Sequence, residues 1–272
     1  MKKLIKLIVA VFCLLGTTSC KTSDTLIVYT EAGFAPFEYI SDGKIVGVDI
    51  DIMNKVGVKL GKKIQFENVN FDVIVDTVAA GKLANIGAAG LSVTPERLSK
   101  VDFSKVYYQA NLYVIYEVKN ESNLKHLMSD GNFGIYWSSL KSDKGIGVQT
   151  GTTADLFLSD EVKEGGILEG NKVNYFSSLD TAVSDIGLNS DYVIIDELPA
   201  KKLVQGKANL NCLPLYYKGE EDQLAFDEYA ICVTKGHTAL LNAINEVLDE
   251  LLNEEENGIN GIQALINKHL GL

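Results

Sequence analysis

Histidine is scarce in this 272-residue chain: there are three, and His126, His237 and His269 stand far apart. None has a ligand or triad partner in its surroundings, and neither His-Glu-x-x-His nor Cys-x-x-Cys occurs. No zinc site, dithiol redox centre or other metal or cofactor site is legible, and all three histidines read as surface residues. The Gly-x-Ser-x-Gly elbow of serine hydrolases and the glycine-rich phosphate loop closed by Lys-Ser/Thr are missing too. Of four cysteines, two (Cys13 and Cys20) lie near the start, leaving Cys212 and Cys232. Export would permit a disulfide between these two. Each sits in an apolar strand-like run, where a buried free thiol is common, so two free thiols is the preferred reading. No second apolar run long enough to cross a membrane follows the first, and there is no long Gly/Ser linker, low-complexity tract or repeat. Positive charge is also in short supply. The net charge is −11, so nucleic acid is not expected as a partner.

The N-terminus reads as a secretory signal over residues 1–19. Lys2, Lys3 and Lys6 form a positive start, Leu4 to Leu15 a short apolar run, and Gly16 to Ser19 a small-residue stretch before Cys20. A cysteine directly at the cleavage point is expected to be diacylated, tethering the protein outside the cytoplasmic membrane. Ordinary cleavage without lipid is the alternative, and Thr17, where such signals usually carry Leu, weighs toward it. Loss of the signal removes three lysines and leaves 22 basic against 36 acidic residues over 253 positions, or −14. That length suits two compact lobes.

From Thr25 the pattern alternates strands and helices. Leu26–Tyr29 reads as a strand, Asp49–Leu60 as a helix closed by Gly61, Ile64–Val69 as a strand, Phe71–Ala80 as a helix closed by Gly81, and Ile86–Ala89 as a small-residue strand. Such a series argues for a parallel sheet covered by helices. A second series follows: strand Gly147–Gln149, a helix from Thr152, and the apolar strand Tyr192–Ile195 ending in Asp196. Ala239–Leu252 is an amphipathic helix. Acid pairs such as Asp49/Asp51 and Glu220/Glu221 read as solvated faces. At the end of the first series, Gly90-Leu91-Ser92-Val93-Thr94-Pro95-Glu96-Arg97 places a bare carbonyl, a short hydroxyl and a guanidinium close together. The carbonyl and hydroxyl accept from an ammonium, and the guanidinium fork grips a carboxylate.

Four segments in order resemble the extracytoplasmic solute-binding proteins of polar amino-acid ABC transporters (family 3). They are Gly33-Phe34-Ala35-Pro36-Phe37-Glu38-Tyr39 with Gly43 to Asp51; Ala88 to Arg97 with Val101 to Tyr108; Gly147-Val148-Gln149-Thr150-Gly151-Thr152-Thr153; and the strand ending at Asp196. The resemblance implies an α/β fold of two Rossmann-like lobes joined by a two-crossing hinge, of the type II periplasmic-binding-protein kind. Lobe 1 is expected over 20–116 plus 217–272 and lobe 2 over 117–216. It further implies a monomer that takes a free L-amino acid between the lobes, presents it to a membrane permease and needs no cofactor.

Residue by residue, the resemblance puts Arg97 on the ligand α-carboxylate, with Thr152 and Thr153 adding donors at a helix start. It puts Asp196 on the α-ammonium with the Gly90 carbonyl and Ser92 hydroxyl, Phe34 and Phe71 around the ligand side chain, and Glu31 and Gln149 at its tip. Each has a plainer alternative. Arg97 pairs with a surface acid, Asp196 or the threonines cap helices, the phenylalanines are core, and Glu31 is an exposed acid without a ligand. The chain departs from the family pattern at Val106, Asn85 and Lys268-His269. It also has a longer stretch, 120–144, holding Trp137, which reads as either a surface hairpin or a specific contact. Two further functions stay open at this point: a dehydratase-like enzyme on the same fold, with Glu31 as acid/base, and a sensor or adhesive lipoprotein.

Overall fold

The computed structural model describes residues 24–272; the expected signal segment and Cys20 lie outside them. Strand Thr25–Thr30 lies between Lys63–Asn68 and Ile86–Gly87, parallel to both, as the first alternating series requires. Cys232–Thr234 and Val101–Phe103 complete this five-stranded sheet with antiparallel pairings. Thr25–Thr30 and Ile86–Gly87 lie inside the sheet and read as apolar runs, whereas the edge strand Lys63–Asn68 has only exposed and half-buried residues. Helices Val48–Leu60 and Thr238–Asn253 cover Val28, Ile86 and Val233 on one face, and Ile74–Ala80 covers Tyr29, Val101 and Cys232 on the other. Gly61 and Gly81 end their helices in the left-handed conformation.

The second sheet has nine strands. Ile146–Gln149 runs parallel to Val173–Phe176 and Tyr192–Asp196, and Tyr108–Glu117 and Leu210–Tyr217 continue it antiparallel. Residues 120–144 extend its edge through strands His126–Leu127 and Phe133–Tyr136, and they bury Trp137 at 1 % exposure. That segment is thus sheet extension with a core tryptophan. The wide apolar face of Thr238–Asn253 (Ala243, Ile244, Val247, Leu248, Leu251) packs on Val48–Leu60 and Gly261–Leu270. Each such large side chain removed from water contributes roughly 1.5–3 kcal/mol.

Two strands pass between the sheets. Tyr108–Glu117 pairs through Leu112–Tyr116 with the second sheet, while its first residues pair with Phe226–Tyr229 on the way back to the first: Tyr108 with Tyr229, Gln109 with Glu228, Ala110 with Asp227 and Asn111 with Phe226. The two crossing strands thus meet at 108–111 and 226–229. Leu112, Val114 and Tyr116 alternate into the second core, which fixes them to that sheet.

Two expectations about single residues fail. Asp49, expected on a solvated face, is fully buried. His269 is packed rather than on the surface, sitting 3.2 Å from the Tyr39 hydroxyl and 3.0 Å from Asp51. Cys212 and Cys232 are free thiols in different sheets. No described helix is long and apolar enough to cross a membrane.

A candidate ligand cleft between the sheets

The motif Gly90 to Arg97 leaves the first sheet at its C-terminal end. Gly90 has φ +53, and a Cβ there would lie 2.8 Å from the Phe34 ring, so only glycine brings the chain this close. Asp49 anchors the loop from beneath: its Oδ2 accepts the Gly90 N–H at 3.0 Å and its Oδ1 the Tyr107 hydroxyl at 2.5 Å. Thr94 then caps the helix Pro95–Lys100, accepting from the Arg97 N–H. This turns the Arg97 side chain inward, where it is 8 % exposed. Its guanidinium donates to the Ser92 carbonyl at 2.8 Å and across the cleft to the Gly151 carbonyl at 2.9 Å, and lies 5.5 Å from the Phe71 ring centre. Burial lowers its pKa, and the nearby Asp227 charge opposes that effect. Among the described residues Arg97 forms no ion pair with a surface acid.

From the other sheet, Thr152 caps helix Thr153–Glu161, accepting from Asp155 N–H and donating to the Gln149 carbonyl at 2.8 Å. Its hydroxyl is thus committed to the loop, while Thr153 and Gly151 face the first lobe. Gly151 sits against Asp72, and the Ser92 and Thr153 hydroxyl oxygens are 3.3 Å apart. The two walls are therefore in contact. Asp196 occupies the N-cap position of Glu197–Val204 but makes no side-chain cap. Its Oδ1 is buried with no hydrogen-bond partner. Burial, and then the Asp227 charge, push its pKa well above the carboxylate range. The Tyr229 hydroxyl acts on Asp196 from nearby, yet forms no hydrogen bond of its own.

Phe34 is buried among Phe37 and Tyr229, whose ring centres lie 5.9 and 6.1 Å away. Phe71 is only partly buried. Burial raises the Glu31 pKa, and the Gln149 side chain beside it pulls the other way. Gln149 is itself buried and donates to the Ser177 carbonyl at 3.2 Å. A groove of about 980 Å³ at the opposite end of the first sheet's parallel strands, around Leu26, Leu60, Leu83 and Leu240, shares no residue with this cleft. Among the described residues no group of three His, Cys, Asp or Glu is placed to hold a metal.

The sequence profile of the bacterial extracellular solute-binding proteins, family 3, matches residues 26–267. The chain belongs to this family. The family and its neighbours are substrate-binding transport proteins, not enzymes. A relative from Bacillus subtilis (strain 168), named arginine-binding extracellular protein ArtP, is 31 % identical over 155 residues, covering 53 % of this chain and 60 % of its own length. The chain spans between 48 % and 60 % of the length of that relative and two others it matches. Solved structures match more fully. The amino-acid ABC transporter substrate-binding protein AbpA from Streptococcus pneumoniae, bound to L-arginine, has a TM-score of 0.75 at 25 % identity, covering 91 % of this chain and 95 % of that one. An ancestral arginine-binding protein bound to glutamine has a TM-score of 0.73 at 29 % identity over 92 % of this chain and 100 % of that one. The family 3 protein described here thus has the two-lobed type II periplasmic-binding-protein fold.

Three cleft residues of this family 3 protein escape a reading of the sequence: Asp49, Asp227 and Tyr229. The signal for the last two is local. In Phe226-Asp227-Glu228-Tyr229, burial alternates so that Asp227 and Tyr229 share the inner face. A period-two reading of that strand puts the acid inside with the tyrosine.

Proposed function

We propose that this protein captures a free amino acid with a cationic side chain between its lobes and delivers it to an ABC permease. The observation that carries this reading is the orphaned, buried Asp196 Oδ1 on one lobe, set in one cleft with the buried Arg97 of the other. Asp227 acts electrostatically on both, so the three charges form one cluster. In this reading the ligand carboxylate takes Arg97 away from the Ser92 and Gly151 carbonyls, and the α-ammonium meets Asp196, the Gly90 carbonyl and Ser92. Thr152 and Thr153 present the helix N-terminus to the carboxylate, and Phe34 and Phe71 flank the side chain toward Glu31 and Gln149. A zwitterion brings one charge of each sign, so Glu31 and Asp227 remain in excess over Arg97. A cationic side chain offsets one of these two charges, and the arginine-binding relatives support that choice. A glutamine side chain is the second reading, favoured by the raised Glu31 pKa beside the Gln149 amide.

Contact with both walls gives the ligand a higher affinity for the closed form, which drives closure. Lobe 1 then runs to about residue 110 and resumes at about 227, where the crossing strands pair. Cys20 carries the lipid that keeps the protein at the outer face of the membrane, and the protein works as a monomer. A thermal-shift screen of the protein from Cys20 onward against all free amino acids tests the reading. Arginine or lysine is expected to raise the melting temperature most, since ligand at 100 times its Kd adds about 2.7 kcal/mol. Arg97→Ala is expected to remove that shift. A screen in which no α-amino acid moves the melt overturns the function, and an Arg97→Ala protein that still responds overturns the clamp.

A further inference from the structure

Besides the Arg97 bond to the Gly151 carbonyl, a side chain of the crossing strands joins the two lobes. Asp227 sits on the return crossing strand, paired through Ala110 to the outgoing one, and is 7 % exposed. Its Oδ2 accepts a hydrogen bond from the Ser92 hydroxyl of the first lobe and one from the hydroxyl of Thr153, the first residue of a second-lobe helix. Its Oδ1 accepts the N–H of Glu228 at 2.8 Å, which fixes the carboxylate on its own strand. Among the described residues no cation forms an ion pair with it; the Arg97 guanidinium, which donates to the Ser92 and Gly151 carbonyls, acts on it through its charge alone. Hydrogen bonds from hydroxyls to an ionised carboxylate are roughly twice as strong as neutral ones. Two of them, one from each lobe, converge on one oxygen, and both cannot persist when the lobes separate.

We propose that Asp227 is the closure latch of the hinge: a positioning residue that holds the closed form by accepting one hydroxyl from each lobe. The Thr153 hydroxyl then acts on ligand affinity through Asp227, while the Ser92 hydroxyl donates to Asp227 and still offers its oxygen to the ligand ammonium. The latch needs water on one side in order to release, and a crevice of about 360 Å³ reaches it there, lined by Val93, Pro95, Thr153, Phe157, Phe226 and Asp227 itself. Opening rehydrates the carboxylate from that side, while Asp227 keeps its strand pairing. Closure therefore has a contribution from the protein alone, to which the ligand adds its own.

The part of this inference that concerns affinity rests on the amino-acid-binding reading; the latch itself does not, and the experiment separates them. Small-angle scattering of the ligand-free protein reports the closed fraction without any ligand. Asp227→Ala is expected to enlarge the radius of gyration of the ligand-free protein. Asp227→Asn, which keeps an acceptor oxygen at the same place, is expected to recover part of the compaction. With L-arginine as the probe, Asp227→Ala is expected to speed dissociation at least tenfold with little change in association. Thr153→Val is expected to do the same alone and to add nothing in the Asp227→Ala background. Unchanged scattering for Asp227→Ala overturns the latch. Additive effects of the two substitutions on dissociation overturn the claim that Thr153 acts through Asp227 and place its hydroxyl on the ligand. If arginine binds neither protein, the scattering comparison still decides the latch, and the failure belongs to the ligand assignment.

Discussion

A fully buried carboxylate without a cation is costly unless hydrogen bonds replace its water. Asp49 meets that condition with two donors, the Tyr107 hydroxyl at 2.5 Å and the Gly90 N–H at 3.0 Å. Removal of the acceptor leaves both donors buried and unpaired, at a cost of about 1–3 kcal/mol each. Asp49→Ala is therefore expected to lower unfolding stability by about 2–5 kcal/mol. Asp49→Asn is expected to cost far less, because its oxygen still accepts from Gly90 while the hydroxyl of Tyr107 turns to accept from the amide. Urea unfolding of the two variants checks this, and equal losses would show that Asp49 acts through its charge and not as an acceptor. Gly90→Ala probes the same loop from above. The left-handed backbone, at φ +53, and the approach to Phe34 both resist a methyl group. A loss of about 1–3 kcal/mol is expected, together with loss of the ligand-induced melting shift, since the Phe34 ring and the Gly90 carbonyl move together.

At the scale of elements, the Gly151 loop tests whether wall contact matters. Its φ is +79, and a Cβ would stand 3.1 Å from Asp72 Cβ and 3.2 Å from Asp72 Cα across the cleft. The backbone strain of alanine there is present in open and closed forms alike and costs about 1 kcal/mol of stability. The clash with Asp72 exists only when the lobes are closed. Gly151→Ala is therefore expected to weaken ligand binding tenfold or more while melting only slightly earlier, which calorimetric titration beside a ligand-free melt resolves. Equal affinity in the variant would mean that the lobes do not approach this closely around ligand. The elements themselves were legible where the signal is local. Leu60-Gly61 and Ala80-Gly81 end helices by the same left-handed cap, and the Thr152 hydroxyl starts one. Gly90 to Arg97 was legible because eight adjacent residues carry its chemistry. Asp49 and His269 were not legible. Asp49 is buried by Tyr107, more than fifty residues away, and His269 by Tyr39 and Asp51, more than two hundred away. The crossing strands pair 108–111 with 226–229, and nothing within either strand announces the other.

The molecule as a whole buries more acid than base in its cleft and beneath it, and this sets its response to pH. Asp49 is raised to about 6, and Glu31, Glu38 and Asp196 are all raised from their ordinary values, burial being the first cause in each. Neither carboxylate oxygen of Glu38 has a hydrogen-bond partner. A carboxyl whose pKa is higher folded than unfolded contributes stability that is complete below the unfolded value and lost as pH rises through the folded one. For Asp49 alone, ionisation at about 6 instead of 3.8 withdraws up to about 3 kcal/mol between those values. The ligand-free protein is thus expected to melt higher at pH 5 than at pH 7.5. Exposed acids with lowered pKa values, Asp130 and Asp222 among them, lose their contribution as pH falls below the ordinary carboxylate range and so limit this gain from the acid side. Ligand binding is expected to run the other way. An ammonium placed on Asp196 favours its ionised form, so binding expels the proton that burial holds there, and affinity rises with pH. The melting shift caused by arginine is therefore expected to grow between pH 5 and pH 7.5 while the ligand-free melting temperature falls. Titration calorimetry in two buffers of different ionisation enthalpy counts the protons directly. Proton release that disappears in Asp196→Asn supports the assignment, whereas release that persists in that variant moves the ammonium site to another acid of the cleft.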